Sequence, residues 1–241
     1  MIAIVLAFVA FLATLAGGYL ALKNQNRLQK LLGLTAGIVL GVVIFGLLPE
    51  IFELSEGHYD IHIAMIALMA GFLLFHIIEK TILISHSDHS EYGEHHHPYV
   101  GWASAAALAG HSLLDGLAIG LAFQTNTAIG VALAVAVIAH SFSDGLNTVN
   151  IMLANKNNPL RAKIMLLIDA LAPVTGVLLS FVISVGQTAT GMFLSFFAGF
   201  LLYIAASEIL PEAHSKKSSY MTIVLTVIGA TLMYFITSFG H

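Results

Sequence analysis

Residues 110–147 read GHSLLDGLAIGLAFQTNTAIGVALAVAVIAHSFSDGLN. Two apolar runs are separated only by QTNT, Gln124 to Thr127, and each run carries a single carboxylate, Asp115 in one and Asp144 in the other. Extended outward, the runs fill 99–123 and 127–153, and each exceeds the ~20 apolar residues that a helix needs to cross a bilayer. So short a polar connection makes them an antiparallel hairpin whose midpoints face each other.

Composition carries the same reading through the rest of the chain. Of 241 residues, 58% are apolar and 9% are charged, where a soluble globular domain carries roughly a quarter charged. With a mean hydropathy of +0.91, a water-soluble domain is excluded. Apolar runs of spanning length fall at 1–22, 31–52, 61–84, 99–123, 127–153, 163–186, 190–211 and 220–239. The expected fold is therefore all-α: a single eight-helix transmembrane domain over 1–241, with spans 4 and 5 as its central hairpin. The first run has no basic residue ahead of its apolar stretch and is long enough to span, so it reads as a retained helix rather than a signal peptide. The 21 glycines suit helices that approach closely in lipid. Zero cysteines exclude disulfides and thiolate chemistry. A net charge of -4 with nine basic residues leaves no nucleic-acid surface.

The basic residues set the orientation, because cytoplasmic connections are enriched in Lys and Arg. Lys23, Arg27 and Lys30 follow span 1, Lys80 ends span 3, Lys156, Arg161 and Lys163 follow span 5, and Lys216 and Lys217 follow span 7. All nine fall on alternate connections, which places both termini outside a cell membrane, a bacterial-type inner membrane being the expected setting. The longest connection, 85–98 (SHSDHSEYGEHHHP), is then cytoplasmic, and its five histidines, His86, His89, His95, His96 and His97, make it a flexible metal-binding loop.

An Asp at the centre of a spanning helix costs about 2.5 to 3.5 kcal/mol on insertion scales, so a carboxylate there is functional by default. HSLLDG in span 4 and HSFSDG in span 5 repeat at an offset of 29 residues. In each, His and Asp are four apart and share one helix face about a turn from each other. His111, Asp115, His140 and Asp144 thus converge near the midplane and offer nitrogen and oxygen donors with a total charge of -2, which suits Zn²⁺, Fe²⁺ or Mn²⁺. Ser112 and Ser141 follow the two histidines and are placed to hold water near the ion. Asn147 shares the face of Asp144. Asp169 is expected early in span 6, just inside the cytoplasmic boundary, with Pro173 one turn on.

Span 2 ends in GLLPE, with Glu50, and span 7 in SEILPE, with Glu208 and Glu212. Matching Pro-Glu pairs point to inverted repeats, spans 1–3 against 6–8, flanking the hairpin, with acids at both mouths. His62, His76 and Glu79 read as weaker candidates, closer to packing residues.

HSLLDGLAIG in span 4 closely resembles the HNxxDGLAIG signature of the ZIP family of divalent metal transporters. The eight spans, the outer termini, the His-rich loop after span 3 and YIAASEILPE in span 7 are also similar, so the likeness covers essentially the whole chain. The resemblance implies that His111, Asp115, His140 and Asp144 hold the ion in transit, that Glu208 belongs to the pathway, and that the 85–98 loop senses or delivers metal. Two departures stand out. Ser112 and Ser141 occupy places where many members have Asn or Asp, which speaks against a two-metal centre. The fifth span lacks the HEIPHE form, with Ser143 for Pro and Asp144 for His or Glu. The expected function is uptake of a divalent transition metal into the cytoplasm, zinc foremost and iron or manganese next, with the metal as substrate and no prosthetic group. Its partners are the metal ions and the lipid bilayer, with a homodimer left open as the assembly. The alternative from the residues alone is an intramembrane zinc-dependent hydrolase.

Overall fold

The computed structural model describes residues 1–23, 29–87, 98–183, 186–214 and 220–238; within them Glu79, Glu208, Glu212 and a few others are described by backbone alone. The histidines of the 85–98 loop therefore lie outside the described side chains. Among the described residues ten α-helices build eight spans: α1 Ile2–Lys23, α2 Gln29–Val42 continuing into α3 Leu48–Ser55, α4 Ile61–Ser87, α5 Pro98–Thr125, α6 Thr127–Ala154, α7 Pro159–Ser180, α8 Gln187–Tyr203 continuing into α9 Leu210–His214, and α10 Tyr220–Ser238. All eight are long and apolar enough to cross a membrane, and the chain is a multi-pass membrane protein.

Spans 2 and 7 are each interrupted by a π-helical turn, Val43–Leu47 and Ile204–Ile209. The cause lies just beyond each turn. Pro49 and Pro211 bring no N–H to the carbonyl four residues back, and their rings crowd it. Each helix widens by one residue instead, with Leu48 N–H donating to Val43 and Leu210 N–H to Ala205.

Span 6 is displaced from its expected place at 163–186. It begins at Pro159, because the Asn158 side chain accepts from the Arg161 N–H as an N-cap and proline suits the first turn, and it ends at Ser180. Asp169 consequently sits ten residues into the helix, about 15 Å from its start, and is fully buried. The expectation of an acid at the membrane boundary is corrected to an acid in the protein interior.

The inverted repeat is visible in how the spans pair. Span 1 packs on span 5 as span 6 packs on span 4, and span 2 packs on span 8 as span 7 packs on span 3. The closest backbone approaches obey the same exchange. A Cβ on Gly17 would run into the Phe142 carbonyl and one on Gly145 into that of Thr14; correspondingly, a Cβ on Gly176 meets Leu113 and one on Gly116 meets Pro173. In the outer pairs, Gly37 lies against Thr226 and Gly229 against Leu34, as Gly199 lies against Leu68 and Gly71 against Phe196. Spans 1, 4, 5 and 6 thus form one close-packed group held by bare backbone contact, and spans 2, 3, 7 and 8 lie around it. The hairpin of spans 4 and 5 straddles the pseudo-twofold axis, which passes between the two His-Asp units.

Candidate metal site

The two units meet as their spacing requires. Each of His111, Asp115, His140 and Asp144 offers one ligand atom, and all four atoms lie within 4.8 Å of one another. His111 Nε2 is 3.3 Å from Asp115 Oδ2 and 3.9 Å from Asp144 Oδ2. His140 Nε2 is 3.2 Å from Asp115 Oδ2 and 3.8 Å from Asp144 Oδ2. A tetrahedron with bonds of about 2.0–2.1 Å has edges of roughly 3.3 Å, so the shorter contacts already have that size, while the widest separation in the group, up to 4.8 Å, must close by about 1.5 Å around an ion. All four residues are buried, with His140 and Asp115 at 0% and 1% exposure. Two carboxylates enclosed in this way need a positive charge among them, which a bound cation or a protonated imidazole supplies.

The two histidines are not equivalent. His140 Nδ1 lies 2.8 Å from the Ala136 carbonyl of its own helix. A carbonyl only accepts, so Nδ1 carries a proton, and Nε2, 3.2 Å from Asp115 Oδ2, is the nitrogen left to coordinate a cation when the ring is neutral. The ring is oriented for a cation before one arrives. Among the described residues His111 Nδ1 is buried with no hydrogen-bond partner, and its ring stacks at a tilt 4.6 Å from Phe200 and 6.0 Å from Phe75.

The other expected residues are distributed around this core. The Ser112 hydroxyl donates to Asp169 Oδ1 at 2.6 Å, and Thr148 donates to Asp169 Oδ2 at 2.8 Å. These three residues tie spans 4, 5 and 6 together on the side of the 155–158 turn. The Ser141 hydroxyl donates to the Val137 carbonyl at 2.7 Å and so bonds within its own helix. Asn147 is half-buried, and Glu208 is described by backbone alone. Glu50 is buried. Burial and the Glu50 carboxylate raise the Tyr59 phenol above its ordinary range, and Tyr59 donates to the Ile51 carbonyl at 3.2 Å. His76 is exposed, 3.2 Å from the Tyr203 hydroxyl. Sequence reasoning missed Thr148, which lies one turn beyond Asp144 on the same face; that spacing was the available signal.

Residues 84–237 match the family model described as ZIP Zinc transporter. The chain is 29% identical over 143 residues to the zinc transporter SLC39A7 of Canis lupus familiaris, covering 55% of this chain and 30% of that protein. It is 28% identical over 134 residues to the zinc transporter zipt-7.2 of Caenorhabditis elegans, covering 52% and 29%. It is 24% identical over 221 residues to the zinc transporter YKE4 of Saccharomyces cerevisiae, covering 79% and 63%. The chain spans about 30% of the length of the first two. With the family match extending over more than half of its residues and the repeated His-Asp unit lying inside the matched region, the chain belongs to the ZIP family.

Proposed function

We propose that this protein carries divalent transition-metal cations, zinc foremost and iron or manganese next, across a cell membrane into the cytoplasm, with His111, Asp115, His140 and Asp144 as the transit site. The observation that carries the reading is the closed set of four ligand atoms within 4.8 Å at the centre of eight spanning helices. Two carboxylates cancel the charge of a dication, so the loaded site is electrically neutral in a medium where net charge is costly. Relatives named as zinc transporters favour zinc.

The direction rests on the segregation of all nine Lys and Arg to alternate connections, which assigns both termini to the outside and the 85–98 loop to the cytoplasm. Glu50 then serves the outer mouth. Asp169 and Asn147 continue the polar path inward from the site, and Ser112 positions the Asp169 carboxyl beside it, whereas Ser141 bonds within its own helix. Glu208 and the His-rich loop receive the metal at the inner end. Because the four ligands are buried, passage requires helices to move, and alternating exposure of a midplane site between inverted repeats fits that requirement.

Purified protein in liposomes loaded with a zinc-responsive dye tests the proposal. The expected result is a zinc-dependent signal that Asp115→Asn and Asp144→Asn abolish. Wild-type protein that binds zinc and passes none would overturn it.

A further inference from the structure

We propose that the cavity between spans 3, 4 and 7 takes up the hydrocarbon tail of a membrane lipid, the end of which packs against His111. The cavity has a volume of about 360 Å³, within the ~300–1,000 Å³ range of ligand pockets. Its mouth is formed by Leu74 and Ile78 of span 3, which are 47% and 39% exposed on the outside of a membrane protein. The medium at that mouth is hydrocarbon. The walls are Phe75 and Phe200, packed edge to face at 4.5 Å, and Gly110, where an added Cβ would meet nothing within 4 Å.

At its inner end lies His111, 4% exposed, with an Nδ1 that has no hydrogen-bond partner among the described residues. The lining is otherwise apolar, so water gains too few partners to fill it. The depth of His111, midway along a spanning helix, is beyond the reach of a lipid headgroup. An alkyl chain is the occupant that both medium and lining supply.

The repeat sharpens the point. The exchange that carries span 4 onto span 5 puts Ala139 at the place of Gly110, and the corresponding exchange puts Met233 at the place of Phe75 and Ile38 at that of Phe200. Ile38 and Phe200 are both buried in the main core cluster, Met233 is fully buried where Phe75 is only partly so, and His140 on that side is tied to Ala136. The two halves thus differ at the histidines: the His140 ring is tied to a carbonyl, whereas the His111 ring borders the cavity. A tail seated there does for His111 what the Ala136 carbonyl does for His140: it limits ring rotation and keeps Nε2 toward the carboxylates. That last consequence rests on the transport-site reading, whereas occupancy itself does not.

The test is photolabelling of the full chain in phosphatidylcholine vesicles whose acyl chains carry a diazirine near the terminal methyl, with no metal added, so the outcome is independent of transport. The expected result is labelling of residues 71–78 and 107–114 several-fold above the lipid-facing Ile223, Val227 and Ile228 of span 8. Filling the cavity by Gly110→Phe, or by Ala107→Leu should the first variant not fold, is expected to remove that excess. Labelling no higher than on span 8, an excess that survives in a folded cavity-filled variant, or cross-links joining two copies through Leu74 and Ile78 would each overturn the proposal.

Discussion

The hydroxyl of Ser112 donates to Asp169 across 2.6 Å, while Ser141, its counterpart in the repeat, donates to the Val137 carbonyl of its own helix. The difference is set by what faces each serine. Asp169 and Thr148 stand on one side of the pseudo-twofold axis, and their repeat partners on the other are Ala10 and Ile119, both fully buried. The two halves share one backbone plan, and the side of the 155–158 turn alone receives the extra carboxyl.

Removing either serine hydroxyl therefore has unequal consequences. Ser112→Ala leaves a buried carboxyl oxygen short of a donor and is expected to destabilise the protein by about 1–3 kcal/mol. Ser141→Ala removes only a bond to a carbonyl already engaged in its helix and should cost under about 1 kcal/mol. Thermal unfolding of the two variants in detergent, compared with wild type, reads the difference; equal shifts would contradict the asymmetry.

The close backbone contacts make a second, steric expectation. Gly116→Leu and Gly176→Leu force side chains into the carbonyls of Pro173 and Leu113, and overpacking of this kind costs about 1–3 kcal/mol or more. Loss of monodisperse protein on size-exclusion chromatography is the expected outcome. Gly110→Ala points into open space and should stay within about 0.5 kcal/mol of wild type.

Protons and cations compete for the same imidazole and carboxylate lone pairs. The apparent zinc affinity of the purified protein should thus fall as the solution is acidified and recover when the pH is raised again. Equilibrium titrations over a pH series give the sign directly. An affinity that rises on acidification is incompatible with a site of two histidines and two aspartates.

The hairpin and its four ligands were legible because the signal is local. A His and an Asp four apart share a helix face whatever surrounds them, and QTNT fixes the antiparallel return. The matching LPE segments announced the repeat for the same reason. The start of span 6 was misread although Asn158 and Pro159 form a recognisable helix start, since hydropathy weighs Arg161 and Lys163 as boundary residues when they lie within the first helical turns. The depth of Asp169 was misplaced with it. The unequal anchoring of His111 and His140 left no trace in the sequence. The two histidines sit in near-identical units, and what distinguishes them is whether a backbone carbonyl meets Nδ1, which is a matter of rotamer and of the neighbours at Phe75 and Phe200.

X-ray absorption at the zinc edge, on purified protein loaded with one equivalent of zinc, tests the His₂Asp₂ cage most directly. The expected spectrum is a shell of nitrogen and oxygen only, at about 2.0–2.1 Å, with outer scattering from two imidazoles that drops to one in His111→Ala and to one in His140→Ala. A shell that keeps both imidazoles in either variant, or that contains none in the wild type, would contradict it.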